Sequence, residues 1–363
     1  MNWYSISLVV AGFLSSFYLY YRIPLLKLKT PTQKIPKISI IIPCRNEELS
    51  IGLLLNDLFN QSMPIHEIIV VDDGSTDQTG EIIDQFNVKK ITVTEKNKEY
   101  VGKSWAIETG SFAATGELLL FLDADVRLSK DALMSLVALY EENHHIITVL
   151  PYHETKKHYE QFSIPFNLIS IAANHTSTLF PKSIGCFGPC ILIERKIYED
   201  IGRHHDIRKS IIEDISLGIL LHQKGYAFDG YSGNKIISYR MYPEDYKSLY
   251  YGWTKNIAFG ALSIPILLGL TVFLFVSSIL ATMLELTLNF ITFNLVNVII
   301  YSAFYLIWMV RLYYISHQIG KFKLWPFLLL PITFGHFLFV FVVSFIKKIF
   351  KLSVKWKGRS IRA

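Results

Sequence analysis

Short continuous runs of apolar residues recur between residues 38 and 150, and segments with helical periodicity separate them. A continuous apolar run, unlike an alternating one, is typical of a strand that is buried on both faces. Strands that alternate with helices in this way predict an α/β domain built on a parallel sheet. The predicted strands are 38–43, 66–73, 90–95, 117–123 and 145–150, and the predicted helices are 46–61, 76–86, 104–114 and 129–142.

Polar side chains follow three of these predicted strands. Because ligands of parallel sheets bind beyond the carboxyl ends of the strands, we expect these side chains to share one rim of the sheet. A single acid in such a place often serves as a helix cap or turn residue, and we expect that role for Ser75 and Asp77. The polar groups are Arg45, Asn46 and Glu47 after the first strand, Asp72, Asp73, Ser75 and Asp77 after the second, and Asp123 and Asp125 after the fourth.

Asp123 and Asp125 stand one residue apart at the end of the apolar run 117–123. Two carboxylates at this spacing repel each other unless a cation lies beside them. Mg²⁺ commonly takes one or two protein carboxylates together with substrate phosphates, so a divalent metal is the expected partner. The sequence contains no glycine-rich Walker loop, which excludes a P-loop enzyme.

The composition indicates a mixed architecture. The chain is 51% hydrophobic and 18% charged, with 25 Phe and 20 Tyr, which is too apolar for an ordinary soluble enzyme and too charged for a pure membrane bundle. We therefore expect one soluble domain with membrane segments. Cys44, Cys186 and Cys190 give neither a disulfide framework nor a zinc site, so they are interpreted as reduced thiols in a cytosolic domain.

Four apolar stretches are long enough to cross a bilayer, namely 3–21 and about 258–282, 288–310 and 325–346. The first lacks a basic start and a cleavage site, so we predict an anchor and not a signal peptide. Basic residues follow it directly, which places the next domain in the cytosol. The alternative for each stretch is a buried core helix. The expected divisions are an anchor at 1–29, a soluble domain at 30–256, membrane segments at 257–346 and a basic tail at 347–363.

The basic tail conflicts with a simple count of crossings. Three crossings after a cytosolic domain would place the tail outside, whereas its positive charge favours the cytosol. We therefore expect one of the three C-terminal stretches to be re-entrant or flat. Anionic membrane lipids are a nearer partner for the tail than nucleic acid, since it follows a membrane segment. The tail carries Lys347, Lys348, Lys351, Lys355, Lys357, Arg359 and Arg362.

Five short motifs occur in a fixed order: P-x-R-N-E, V-D-D-G-S-T-D, G-K-S-x-A, D-A-D and the pair Glu213-Asp214. In this order they resemble the inverting family 2 glycosyltransferases over about residues 37–256. The resemblance implies a GT-A fold, which is a Rossmann-like and mostly parallel sheet. It also implies a nucleotide-sugar donor, a UDP-sugar, and a divalent metal, Mg²⁺ or Mn²⁺.

The resemblance also implies roles for individual residues. Asp214 is expected to be the general base of the Glu213-Asp214 pair, although an acid at this place also favours the positive end of a helix dipole. Metal binding falls to Asp125, together with Asp123, which lies beside the ribose and the sugar. The other donor-binding positions are Arg45, Glu47 and Asp72 for base and ribose, Asp73 beside them, and Lys103 near the donor.

The sequence departs from one pattern of this family. Processive polysaccharide synthases carry Q-x-x-R-W before their pore helices, whereas the equivalent stretch here is Tyr250-Tyr251-Gly252-Trp253. The missing Gln and Arg favour a single transfer over polymer synthesis.

Four further stretches, 149–168, 187–204, 240–256 and 356–359, resemble the 4,4'-diaponeurosporenoate glycosyltransferase family. That family attaches glucose to the terminal carboxylate of a C30 carotenoid acid. The resemblance implies a lipid-soluble acceptor that the membrane segments hold at the interface. Two alternatives remain: transfer to a polyprenyl phosphate or diacylglycerol, and a non-catalytic membrane scaffold that binds nucleotide sugars.

Several residues are candidates for the acceptor side. His153 and His158 are possible acceptor contacts or ordinary packed residues. A carboxylate acceptor needs no general base when ionised, but it needs a countercharge, which either Lys255 or Arg240 supplies. An apolar stretch lies either on the membrane surface or in the core, and it contains Phe162, Phe166, Ile169 and Ile171.

Overall fold

The computed structural model describes residues 3–33, 35–95, 97–101, 103–210, 212–261, 264–350, 352–356 and 359–362. Its strands are β1 (Ile38–Cys44), β2 (Glu67–Asp72), β3 (Lys89–Thr92), β4 (Leu118–Leu122), β5 (Val126–Leu128), β6 (Ile146–Leu150), β7 (Tyr152–Glu154), β8 (Cys190–Glu194), β9 (Phe228–Ser232), β10 (Ile237–Tyr239), β11 (Gly320–Lys321), β12 (Ser353–Trp356) and β13 (Arg359–Arg362).

The helices are α1 (Trp3–Leu19), α2 (Ile51–Phe59), α3 (Thr79–Ile83), α4 (Ser104–Ala113), α5 (Ala132–Asn143), α6 (Ile164–Ala173), α7 (Arg195–Asp200), α8 (Glu213–Gln223), α9 (Tyr246–Ala261), α10 (Ile266–Ile291), α11 (Leu295–Ile319), α12 (Trp325–Leu328) and α13 (Leu330–Ile349). All five predicted strands and all four predicted helices of residues 38–150 are present, with shifted ends. The predicted start of α2 was wrong by five residues, because Asn46 takes a positive φ of 51° and residues 45–50 turn before the helix begins.

A seven-stranded sheet forms the centre, in the order β3-β2-β1-β4-β8-β6-β9. The strands β1 to β4 are parallel, whereas β8 runs antiparallel to both of its neighbours, β4 and β6. The sheet is therefore mostly parallel, as predicted. A second sheet, in the order β11-β7-β10-β5, joins the α/β domain to the segment that follows α11.

Both faces of the central sheet are buried, which is why its strands read as continuous apolar runs. Ile40 and Leu120 pack on one face beneath α2 and α5, whereas Ile41 and Phe121 pack on the other. These residues are at most 2% exposed. Truncating a side chain of this kind to alanine typically costs about 2–5 kcal/mol, so this core fixes the strand ends that carry the polar residues.

Three of the described helices, α10, α11 and α13, are long and apolar enough to cross a membrane, and α1 is a shorter apolar helix of 17 residues. The predicted bounds of the C-terminal stretches were several residues too early. Residues 258–261 belong to α9, which ends before Pro265, and this proline is the N-cap of α10.

The helices α1, α10 and α11 pack into one bundle. A Cβ at Gly12 of α1 would lie 2.2 Å from the Ser278 side chain, so glycine allows α1 to pack closely against α10. At one end of the bundle the Ser5 hydroxyl donates to Glu285 at 2.6 Å. At the other end the Arg311 guanidinium donates to the Ser16 carbonyl at 3.1 Å. These contacts make α10 antiparallel to α1 and α11 parallel to it.

The helix α13 does not join this bundle along its length but runs parallel beside α9. The Tyr246 hydroxyl lies 2.9 Å from Nε2 of His336, and the Ser344 hydroxyl donates to the Thr254 carbonyl at 2.6 Å. The two helices are thus in contact over nearly half of α13, from residue 336 to residue 344.

The helix α6 lies beneath α9 and α13 and settles the position of the apolar stretch around residue 166. Phe166 is fully buried and stacks on Trp253, with the ring centroids 4.5 Å apart. Ile171 is also fully buried, and Phe162 is half-buried against Trp325. The stretch therefore packs in the core, and membrane-surface placement is wrong for Phe166 and Ile171.

Candidate active site

A cavity of about 1460 Å³ runs from the carboxyl ends of β1 and β4 to the helices α9, α10 and α13. Its inner end is polar and contains most of the residues that the sequence singled out. The predicted site residues that line it are Arg45, Glu47, Asp73, Lys103, Asp123, Asp125, Glu213 and Asp214.

The loops after β1 and β2 build the first wall of the polar end. Arg45 donates to the carbonyls of Asp73 and Gly74, the latter at 2.8 Å, and Gly74 allows this turn because its φ is +67°. Asp72 differs from its neighbour Asp73. Its carboxylate accepts from the Ser75 amide at 2.8 Å and it does not line the cavity. Asp72 therefore holds the loop, while Asp73 faces the cavity.

The same loops contain the residues expected to act as turns. The carboxylate of Asp77 accepts from the Thr79 amide at 3.1 Å and from the Glu48 amide at 3.2 Å. The Thr79 hydroxyl in turn accepts from the Glu47 amide at 2.7 Å. This network fixes Glu47 at the rim and confirms a turn role for Asp77, although Asp77 also lines the cavity.

An ion pair lies in the second wall of the polar end of the cavity. The Lys103 ammonium contacts a carboxylate oxygen of Asp123 and lies 3.6 Å from Glu213. Burial lowers the pKa of Lys103, but the carboxylates of Asp123 and Glu213 outweigh it, so the net pKa is above its ordinary value. Lys103 is therefore a permanent cation here, and it partly compensates the charge of Asp123.

This ion pair changes the expectation that both acids of the D-x-D motif hold a metal. Asp123 forms an ion pair with Lys103, while Asp125 lines the cavity near Tyr239 and Tyr242. Burial raises the pKa values of both tyrosine hydroxyls, and the negative charge of Asp125 raises them further. In the part of the chain that the structure describes, no cluster of three or more His, Cys, Asp or Glu side chains is placed to hold a metal. The donor set fits a cation that takes one carboxylate and completes its shell with phosphate oxygens.

Asp214 lies in the first turn of α8, at the cavity wall. Its carboxylate accepts from the amides of Ile215 at 2.9 Å and Gly188 at 3.3 Å. Burial first, and then the charge of Glu213, raise the pKa of Asp214 to about 6. A carboxyl group with this pKa can take up and release a proton near neutral pH. Asp214 thus lies both at the N-terminus of a helix and in the wall of the cavity.

Gly188 and Gly252 make room for two side chains that line the cavity, those of Asp214 and Tyr242. A Cβ at Gly188 would lie 2.8 Å from the carboxylate of Asp214, so the loop before β8 can approach that acid only with glycine. A Cβ at Gly252 would lie 2.2 Å from the ring of Tyr242, which therefore fills the space that a side chain at 252 would need. The sequence showed the missing Gln and Arg in this stretch but not that the ring of Tyr242 lies against Gly252.

The outer end of the cavity is apolar, and α9, α10 and α13 build it. Phe273, Leu338 and Phe345 line it and are also 69%, 41% and 38% exposed, so the cavity reaches the outer surface of the apolar helices. This wall could not be predicted from the sequence, because a helix that lines a cavity and a helix that faces lipid have the same composition. Its other residues include Trp253, Ile257, Val272, Val276, Leu280, Phe337 and Phe341.

The two candidates for a countercharge, Arg240 and Lys255, have different surroundings in the structure. Arg240 donates through Nη2 and Nε to the buried carboxylate of Glu160, at 2.6 and 3.0 Å, and thus stabilises the loop before α6. Lys255 lines the cavity from α9, within electrostatic reach of Asp123, Glu213 and Asp214.

Neither histidine of the acceptor hypothesis lines the cavity. His153 is fully buried between Tyr239 and Phe322, with Nδ1 2.8 Å from Asn167. His158 is exposed and lies beside Trp325. Cys44, Cys186 and Cys190 are buried and are not joined by disulfide bonds.

Comparisons with known proteins agree with this geometry. A family model described as Glycosyl transferase family 2 matches residues 39–202. The 4,4'-diaponeurosporenoate glycosyltransferase of Staphylococcus aureus strain USA300 is 32% identical over 341 residues, which are 92% of this chain and 90% of that protein. The protein of the same name from strain MRSA252 has the same identity and coverage.

A solved structure is similar over nearly the whole chain. It is the mannosyltransferase PcManGT from Pyrobaculum calidifontis in complex with GDP-Man and Mn²⁺, with a TM-score of 0.58, 16% identity, and coverage of 95% of this chain and 97% of that one. At this identity the likeness establishes the fold. The fold and the site thus define a glycosyltransferase with a GT-A fold and apolar helices. The chain belongs to glycosyl transferase family 2, within the group that contains the staphylococcal 4,4'-diaponeurosporenoate glycosyltransferases.

Proposed function

We propose that the protein transfers one sugar, glucose, from a UDP-sugar to the carboxyl group of a C30 carotenoid acid in the membrane, with inversion at the anomeric carbon. The observation that carries the proposal is the single cavity that joins the carboxylate cluster at the sheet to an apolar wall on α10 and α13. The name of the staphylococcal relatives supports this acceptor, since those proteins are described as acting on 4,4'-diaponeurosporenoate.

The polar end of the cavity would bind the donor. Arg45, Glu47 and Asp73 share the rim where the base and ribose of a nucleotide would lie. Asp125 would hold Mg²⁺ or Mn²⁺ together with the diphosphate, and the solved mannosyltransferase in complex with GDP-Man and Mn²⁺ supports this type of site. Such a metal neutralises charge on a leaving nucleoside diphosphate without moving a proton.

The acceptor would approach from the apolar end. An oxygen of its carboxyl group attacks the anomeric carbon on the face opposite to the diphosphate. The new C–O ester bond forms as the bond from that carbon to the β-phosphate oxygen breaks. A carboxyl group in an apolar channel is protonated more readily than in water, because burial disfavours its charged form. Asp214, with its pKa of about 6, would take that proton.

The packing of the helices supports a topology in which the tail is cytosolic. The bundle of α1, α10 and α11 would make three crossings, which brings the chain back to the side of the α/β domain at β11. The helix α13 would then lie flat along α9 at the interface. The basic tail would contact anionic lipids on the same side, at about 1 kcal/mol for each basic residue near the surface.

A membrane assay tests the proposed function. Membranes that contain the full chain are incubated with UDP-glucose, Mg²⁺ and the C30 carotenoid acid, and the lipids are then analysed by mass spectrometry. We expect one hexose per carotenoid, and no product with EDTA or with the Asp125→Ala variant. Diacylglycerol and polyprenyl phosphate are tested in parallel. Hexose on either of these and none on the acid would overturn the acceptor assignment. If a preparation that binds UDP-glucose transfers sugar to none of the three acceptors, the result would favour a non-catalytic scaffold.

A further inference from the structure

Lys255 stands at the border between the two halves of the cavity. It lies on α9 between Trp253 and Ile257, which line the apolar half, and it is within electrostatic reach of Glu213 and Asp214 in the polar half. An apolar chain that ends in a polar group would place that group at this border. The inference below rests on the proposed function and concerns the chemical class of that group.

The carboxylates at this border would repel an incoming anion. Asp123, Glu213 and Asp214 converge here, and the raised pKa of Asp214 reflects burial together with the negative charge of Glu213. Lys103 is already engaged by Asp123 and Glu213. The acceptor carboxylate that forms when Asp214 takes the proton therefore needs a further cation beside it.

The other cationic side chains that line the cavity are placed elsewhere or hold the fold together. Arg45 binds the backbone of the loop after β2, at the nucleotide end. Arg127 forms two hydrogen bonds with Asp57, at 2.5 and 2.8 Å. Arg240 is bound to buried Glu160, and Lys156 is exposed at the surface. Among the described cavity-lining residues, Lys255 is the cation beside both the acid cluster and the apolar wall.

We propose that the ammonium of Lys255 binds the acceptor's carboxylate and makes the site select a carboxylic acid over an alcohol of the same shape. Burial lowers the pKa of Lys255, and the neighbouring acids only partly counteract this effect. Because the buried ammonium is poorly solvated, an additional anion beside it is favourable. With Asp214 as proton acceptor, Lys255 would stabilise the carboxylate that results. Lys255 is thus a specificity-determining residue for the proposed transfer.

The test compares two acceptors of equal length, the C30 carotenoid acid and the corresponding primary alcohol, with the full-length enzyme in liposomes. In Lys255→Gln we expect kcat/KM for the acid to fall about tenfold to a hundredfold, as for loss of a charged hydrogen bond. The loss should be mainly in KM, with little change for the alcohol and in UDP affinity. Lys255→Arg should retain part of the preference for the acid.

Lys247→Gln is the matched control, since Lys247 is an exposed lysine on the same helix and does not line the cavity. An equal loss for acid and alcohol in Lys255→Gln would overturn the inference. So would weaker UDP binding with an unchanged ratio of acid to alcohol, because Lys255 would then be a diphosphate ligand. If the wild-type enzyme uses the acid and the ratio is unchanged, this inference alone fails. If the wild-type enzyme does not use the acid, the proposed function fails with it.

Discussion

The ammonium of Lys103 contacts the carboxylate of Asp123, and this pair ties the N-terminus of α4 to the end of β4. The side chains are only 20% and 28% exposed, so solvent screens the pair less than a surface ion pair. The charge of Lys103 thus helps to keep several acids together at one place.

Replacing Lys103 with methionine should leave Asp123, Glu213 and Asp214 without the cation between them. We expect a lower melting temperature, consistent with a cost of about 1–3 kcal/mol for a partly buried pair, and weaker UDP-sugar binding. Mg²⁺ should raise the melting temperature of this variant more than that of the wild type, because it replaces the missing charge. Lys98→Met is the control, as Lys98 is exposed and lies outside the cavity. An unchanged melting temperature and UDP affinity would show that the pair has no such role.

The Asp214→Asn variant should lose turnover far more than donor affinity. Asn keeps the shape of the side chain but cannot take a proton, and removal of a general base typically costs about 10²–10⁴ in rate. The measurement is kcat for the acceptor in liposomes, with UDP affinity by calorimetry as the check on folding. Near-normal turnover would mean that the acceptor attacks in its ionised form and that Asp214 is structural.

The activity should depend on pH through Asp214. Its pKa is raised to about 6, so below pH 6 the carboxyl is protonated and cannot act as a base. We expect kcat/KM to fall about tenfold for each pH unit below 6, and to level off above 7. The raised pKa of Asp214 also affects the free energy of unfolding. Its stabilising contribution is fully present below pH 3.8, the pKa in the unfolded chain, and disappears as the pH rises through 6. An acid limb that persists in Asp214→Asn would assign the titration to another group.

Blocking the apolar end should separate the two half-reactions. Val276→Trp on α10 would fill part of the wall that faces α13, so transfer to a carotenoid in liposomes should fall at least tenfold. Hydrolysis of the UDP-sugar in water should stay within about twofold, since its site is at the other end. Phe290→Trp, on an exposed position of the same helix outside the cavity, is the matched control. Equal losses in both reactions would indicate a general packing defect.

Cysteine labelling in intact cells tests the topology. The native cysteines are buried, so a new cysteine gives the main signal. A cysteine at Ser360 in the tail should resist an impermeant reagent, whereas one at Phe293, in the turn between α10 and α11, should react. Labelling at residue 360 would place the tail outside and require α13 to cross the membrane.

The sequence predicted the strands and the acids at their ends because both signals are local. A continuous apolar run and the polar residue after it are visible within ten residues, as for Leu118–Leu122 and Asp123. The choice between Arg240 and Lys255 was not local, since it depends on Glu160, 80 positions away from Arg240. The apolar wall was hidden for the same reason, because Val276 and Phe341 meet only in the folded chain.

The cavity is assembled from separate parts of the chain, and this has a consequence for how such enzymes diversify. The residues proposed to bind the nucleotide lie between Pro43 and Arg127, within the segment that the family model matches, whereas the apolar wall lies on α9, α10 and α13, beyond residue 202. Under the proposed function, substitutions at Val276 or Phe341 would therefore alter the lipid that fits without changing any residue proposed to bind the donor. A lineage with this architecture would then exchange acceptors by drift in its apolar helices while the proposed donor site is inherited unchanged.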